Sequence, residues 1–226
     1  MQILVIGATG YAGRRVSAAL ARAGHTVLGL ARDASAPAAR ALTVDEVIPV
    51  EGDFSEPETW RGHLDGTDVV VHLLMDMSDP VGGDRRLFAE PLAAQERDGR
   101  RRLVFTTGIS SYGRTGLPLM DENTPGNPES PIGFRFVLEK ELAASGLAHT
   151  VVRPGFMNGG PATTSMTGQW FAAAEAGDMM QMAADQDELV SSAKAHRLLG
   201  WTPRHTSFTD DPTRHYRAWK AAQPAA

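Results

Sequence analysis

The chain has no cysteine among its 226 residues. That excludes a disulfide framework and thiolate metal sites, and it is consistent with a reducing compartment. Long apolar runs are lacking too: no stretch approaches the ~20 residues needed to span a bilayer. Positive charge is scarce, with 22 Lys and Arg against 27 Asp and Glu, a formal net charge of −5. A nucleic-acid partner, which needs a basic face, is therefore not expected. The one basic run, Arg100-Arg101-Arg102, stands just before an apolar segment and reads as a solvated loop. The 7 histidines are scattered, without the i, i+4 pairing or the carboxylate company that metal binding requires, so no metal site is expected. The first strand starts directly after Met1, leaving no room for a leader, and a cytoplasmic protein is expected.

What is present is organised around Gly7-Ala8-Thr9-Gly10-Tyr11-Ala12-Gly13. An apolar run, Gln2 to Ile6, precedes it and reads as a buried parallel strand. Arg14 to Leu20 follows and reads as a helix. A strand that turns sharply into a helix aims backbone N–H groups and the positive end of the helix dipole at one spot, where a pyrophosphate fits. Gly7 makes the turn, Gly10 lets the backbone approach the phosphates, and Gly13 lets the helix lie close on the strand.

Further strands are expected at Thr26–Ala31, Asp45–Val50, Asp68–Leu73, Arg102–Thr107 and His149–Val152. Helices are expected after Ser55, over Arg85–Asp98 and over Gly133–Ser145. This alternation implies an α/β fold, a Rossmann-like doubly wound parallel sheet over residues 1–155. Residues 156–226 are expected to form a small, abbreviated C-terminal cap in one compact unit with it. Its helices are placed at Gln169–Met182, Asp187–Leu199 and near Pro212–Ala222. The methionines concentrated there, with Met75 and Met77, fit either a hydrophobic substrate cleft or ordinary core filling.

At the end of the second strand an NAD site places an acid for the ribose hydroxyl, but here Ala31 is followed by Arg32. An arginine clamps a 2′-phosphate, so NADP(H) is favoured over NAD(H). The alternative is a plain surface charge beside Asp33. Asp53 is positioned either to meet the adenine edge or to cap the following helix. His72 reads as a satisfied core histidine.

Taken together, these motifs resemble the extended short-chain dehydrogenase/reductases, the NAD-dependent epimerase/dehydratase family. The resemblance is carried by Gly7 to Gly13, Gly52-Asp53, and Val104 to Gly113 with its Ser-Ser-Tyr-Gly close. It continues through Asp121 to Pro125, Pro128 to Pro131, Val152 to Gly155, and Ser192 to Ala195 with Leu199 to Pro203. It implies cofactor contacts from Gly7, Thr9, Gly10, Tyr11, Gly13, Arg32, Asp53, Phe54, Leu73, Leu74 and Thr107.

The departures matter more. The family's chemistry relies on a Tyr-x-x-x-Lys pair after Ser130-Pro131, but no tyrosine lies between Tyr112 and Tyr216. The two positions fall on Ile132 and Phe136, or on Pro131 and Arg135. Only Phe136 with Lys140 keeps the lysine. Tyr112 either substitutes for the lost phenol or is a turn residue; with Asp76 and Ser110 it completes the catalytic candidates. The span from Pro154 to Lys194 is short for the family, so the substrate lobe is abbreviated.

Three functions follow. One is an atypical enzyme acting on a small apolar metabolite, by reduction or by a non-redox isomerase, cyclase or lyase step. Another is a cofactor sensor or partner-binding protein. The third is an ordinary epimerase or reductase with a substitute acid. A homodimer is compatible with the sequence.

Overall fold

Along the first strand, alternate residues bury in opposite directions, and this sets the architecture. In the computed structural model, which describes residues 1–99, 101–130, 132–155 and 191–200 with single positions 202, 213, 217, 220 and 221, β1 runs Gln2–Ile6. Leu4 and Ile6 join one buried cluster, and Ile3 and Val5 join another. A strand apolar on both faces needs cover on both, which a parallel sheet with crossover helices supplies.

The other strands are β2 (Thr26–Ala31), β3 (Ile48–Glu51), β4 (Val69–His72), β5 (Arg102–Thr106) and β6 (His149–Val152). All pair in parallel, in the order β3-β2-β1-β4-β5-β6. The order reverses between β1 and β4, and ligands bind above the C-terminal strand ends at such a switch point.

Helix α1 (Tyr11–Arg22) covers the Ile3 and Val5 face. The short α2 (Pro37–Arg40) follows β2. Helices α3 (Pro80–Asp98) and α4 (Phe134–Ala144) lie on the opposite face, where Leu87, Leu138 and Leu142 pack with Leu103 and Phe105. Helix α3 begins five residues before the expected Arg85. Pro80 takes its first position, and the Asp79 side chain accepts from the Gly82 N–H, a proline and cap start.

Three expectations are corrected. The third strand begins at Ile48 and not at Asp45, because Asp45 closes a 3₁₀ turn (Ala41–Asp45) and Glu46 follows in the left-handed region at φ +60°. The segment after Ser55 is not an α-helix but two 3₁₀ turns, Pro57–Thr59 and Arg61–Leu64. Between them Trp60 leaves helical geometry at φ −130°, because its fully buried indole needs another direction. The basic run is not all solvated loop either. Arg101 is buried and donates to Asp98 at 2.9 Å, and Arg102 opens β5.

The chain divides into two compact units, Met1–Gly108 with Phe134–Arg153, and Ile109–Gly133 with Pro154–Ala226. The first holds the whole sheet. In the second, a 3₁₀ turn at Ile109–Tyr112 is tied to the following loop, with Ser130 Oγ donating to the Ser110 carbonyl at 2.6 Å. A helix, α5, spans Ala193–Leu199, inside the expected 187–199. The expected helices at 169–182 and 212–222 lie outside the described residues, apart from a few single positions. No helix among the described residues is long and apolar enough to cross a membrane.

Gly7 has φ +87°, and a Cβ on Gly13 would overlap the Gly7 carbonyl. Gly13→Ala is therefore expected to lower stability by about 1–3 kcal/mol, the cost of overpacking a tight contact. Thermal unfolding checks this, and a melting temperature equal to wild type would contradict the helix-on-loop packing.

Candidate cofactor cleft at the strand ends

The glycine loop ends in a helix N-terminus that carries no cap from its own N-cap residue. Gly10 is the N-cap of α1, it makes no side-chain cap bond, and the first turn carries no acid. A helix N-terminus with its positive dipole and no acid in its first turn suits a diphosphate. Beside the loop lies a cleft of about 530 Å³. Of the residues singled out by sequence, Gly7, Thr9, Arg32, Asp53, Phe54, Leu74 and Asp76 line it, together with Met75 and Met77. Gly10, Tyr11 and Gly13 belong to the loop, with Tyr11 opening α1 under the Arg15 guanidinium, 4.3 Å from its ring centroid. Leu73 packs against the α1-side core.

One turn recurs around the rim. At the ends of β2, β3 and β4 stand Asp33-Ala34-Ser35, Asp53-Phe54-Ser55 and Asp76-Met77-Ser78. In each, Oδ1 of the aspartate accepts both the N–H and the hydroxyl of the serine two residues on. The distances are 2.8 and 2.6 Å for Asp33. For Asp53 and Asp76 they are 2.9 and 2.6 Å. These bonds hold all three carboxyls below the usual carboxylate range. Asp53 thus fastens its own loop and caps no α-helix. Asp76, with Asp79 N–H as a further donor at 3.3 Å, is an ionised anchor and not a proton donor near neutrality.

The register of α4 follows from burial. Arg135, Leu138, Glu139 and Leu142 are buried and Lys140 is exposed, so the lysine of the Phe136–Lys140 register lies on the side opposite the buried face. Phe136 instead stacks with Arg153, whose guanidinium carbon is 4.6 Å from its ring centroid. Glu139 accepts from Thr107 Oγ1 at 2.8 Å and from Arg153 through both Nε and Nη2. One turn earlier, Arg135 Nη1 donates to the Thr106 carbonyl at 3.2 Å and lies 3.3 Å from Asp84 Oδ2. The other Asp84 oxygen meets His72 Nε2 at 2.9 Å. His72 is sandwiched between Phe54 and Phe105, with ring centroids 5.2 and 5.7 Å away. Sequence reading foresaw a core histidine, but it missed Asp84, Glu139 and Arg153. The available signal was helical spacing, which puts Arg135 and Glu139 on one face with Leu138 and Leu142.

Of the two catalytic candidates in the second unit, Tyr112 has its hydroxyl engaged by the protein. Tyr112 is buried, and its hydroxyl donates to the Asp121 carbonyl at 2.8 Å. Ser110 is half-buried and uses its carbonyl for Ser130. Among the described residues no cluster of His, Asp and Glu is arranged to hold a metal.

A parallel sheet in this order, with an uncapped glycine-loop helix and a cleft at its switch point, defines a dinucleotide-binding Rossmann protein. Sequence comparison gives the family: residues 7–179 match the NAD(P)H-binding family, and the chain belongs to it. The chain is 33% identical to a 3-diazoavenalumate denitrifying reductase of a Streptomyces species, covering 70% of this chain and 57% of that one. It is 30% identical to an isoflavone reductase homolog of Zea mays, with 70% and 49% covered. The chain thus spans about half the length of these curated relatives. Its fold is that of the epimerase/dehydratase group. A dTDP-glucose 4,6-dehydratase of Bacillus anthracis superposes with a TM-score of 0.72 at 14% identity, over 98% of this chain and 97% of that one.

His72 also makes stability depend on pH. Burial pushes its imidazole below the ordinary value of 6.5, outweighing the Asp84 hydrogen bond. The folded protein therefore keeps His72 neutral while the unfolded chain protonates first, so stability falls as pH drops below about 6.5. The rim carboxylates lose their contribution only at lower pH, below about 4. Melting temperature should decline between pH ~6.5 and 5 in the wild type and flatten over that window in His72→Gln. A wild-type profile without that slope would contradict a neutral buried imidazole.

Proposed function

We propose that this protein is an NADP(H)-dependent enzyme of reductase type, acting on a small apolar substrate without a tyrosine–lysine proton relay. The observation that carries this is the buried face of α4, which bears Arg135 and Glu139 where a relay needs a phenol and an ammonium. The names of these two relatives, a reductase from Streptomyces and an isoflavone reductase homolog from Zea mays, support reduction over a non-redox step. Methionines at 75 and 77 in the cleft lining support an apolar substrate.

The residues present fit a dinucleotide. The glycine loop and the start of α1 would hold the diphosphate, with Asp53 and Phe54 on the adenine side. Arg32 would take a 2′-phosphate, since Ala31 offers no carboxylate and Asp33 is folded back on Ser35. Bound there, the nicotinamide supplies hydride. The chain's own contribution is binding, orientation and exclusion of water. Thr107 is held with its proton on Glu139, so toward a ligand it presents lone pairs only. Asp76 and Tyr112 are assigned to fixing their loops and not to proton transfer.

A second reading, a cofactor sensor, is favoured by one observation: Asp76, Arg135, Glu139 and Arg153 are each committed to protein partners. The two readings separate by turnover, since a sensor binds the dinucleotide and consumes none.

Two outcomes are expected. Calorimetry should show NADPH binding more tightly than NADH, with Arg32→Ala shrinking the difference by roughly ten-fold, the scale of one charge-assisted hydrogen bond. Equal affinities, or a preference for NADH, would contradict the assignment. NADPH oxidation on simple ketones and nucleotide sugars should be slow, because a positioned acid typically contributes ~10²–10⁴-fold. Lys140→Met should leave any turnover unchanged. Rapid, saturable oxidation that depended on Lys140 would restore the family's usual machinery.

A further inference from the structure

The first turn of α3 sets two neighbouring residues against the cleft wall. Gly83 packs so closely that a Cβ there would lie 3.0 Å from the Asp76 Cβ and 3.2 Å from Cε1 of Phe54. Both of those residues line the cleft. Asp84, next in the chain, is fully buried. Its Oδ1 meets His72 Nε2 at 2.9 Å, and its Oδ2 faces Arg135 Nη1 at 3.3 Å. The His72 ring lies nearly parallel to Phe54 on one side and Phe105 on the other, at 14° and 3°. Nothing in an apolar slot between two rings sets the rotation of an imidazole within its own plane, so a hydrogen bond at one ring nitrogen must. Arg135 supplies the charge that lets the carboxylate stay buried, and the same guanidinium holds the Thr106 carbonyl at the end of β5.

We propose that Asp84 is a positioning residue for cofactor binding: through His72 it fixes the Phe54 ring of the cleft wall, and through Arg135 it ties that arrangement to the end of β5. It touches no ligand itself. A buried ion pair is a weak source of stability compared with apolar packing of the same volume. Its worth here lies in geometry, because a pocket wall is only as well placed as the groups behind it. The proposal rests on the cofactor reading of this cleft.

The test is NADPH titration of the full chain, followed by the fluorescence of the bound nucleotide, with melting temperatures measured alongside. Asp84→Asn keeps an acceptor for His72 but strips Arg135 of its counter-charge. It is expected to raise the Kd roughly 2- to 30-fold, the range seen when a coupled network is disturbed away from the ligand. Adding Arg135→Gln removes the stranded charge while leaving an amide that can donate to the Thr106 carbonyl, and should bring the Kd back toward wild type. Leu142→Ala, a cavity in the same core, should lower the melting temperature and leave the Kd unchanged. An unchanged Kd in folded Asp84→Asn would overturn the proposal. So would failure of the second substitution to restore affinity, or an equal rise in Leu142→Ala. If Asp84→Asn does not fold, Gly83→Ala replaces it: the added methyl displaces Phe54 and Asp76 directly, and an unchanged Kd there overturns the proposal as well. Wild-type protein that binds neither NADPH nor NADH would instead remove the cofactor reading beneath it.

Discussion

A carboxylate shut away from water dictates how much of the sheet-bearing unit is assembled. Asp84 has no exposed surface, and taking an ionised carboxylate out of water costs several kcal/mol even after relaxation. That cost is offset by a hydrogen bond to one oxygen from His72 on β4 and by the charge of Arg135 on α4, 3.3 Å from the other. Three elements are thereby fixed at once. Arg135 has to face inward, so Glu139 one turn on does too, and Lys140 turns to solvent. Removing one partner of such a buried pair typically costs about 3–5 kcal/mol, because a charge is left stranded.

The strands were legible because a parallel sheet covered on both faces writes itself as continuous apolar runs. Gln2–Ile6, Thr26–Ala31 and His149–Val152 matched to the residue, and with the first came its glycine loop. The start of α3 was legible too, in Asp79-Pro80, although a reading that waits for apolar periodicity begins only at Arg85. The trap of Trp60 was not, since its backbone departs from the helix for the sake of a tertiary contact.

Charged residues in the core were the least legible. Arg135 lies 51 positions from Asp84, and Glu139 lies 14 from Arg153. Each side chain alone resembles ordinary surface charge, and only the pairing explains its burial. Arg101 misleads in the same way: three consecutive arginines suggest a solvated loop, yet the middle one is tucked away with Asp98 at 2.9 Å. The resemblance to the epimerase/dehydratase group located α4 but could not choose its register, because the residues that would normally mark it are replaced. Burial of the helix face made that choice.

The Asp-x-Ser turn at three successive strand ends has a consequence for how this rim varies. The hydrogen bonds use only the aspartate carboxylate and the backbone and hydroxyl of the serine. The middle side chain takes no part in closing the turn. Ala34 and Met77 therefore sit on frames that hold their shape whichever residue is mounted there, and Met77 reaches the cleft lining, whereas Phe54 on the same frame is also held by the core against His72. The rim works as a set of interchangeable mounts. What a ligand meets at the mouth can be re-specified one side chain at a time while the loops keep their course.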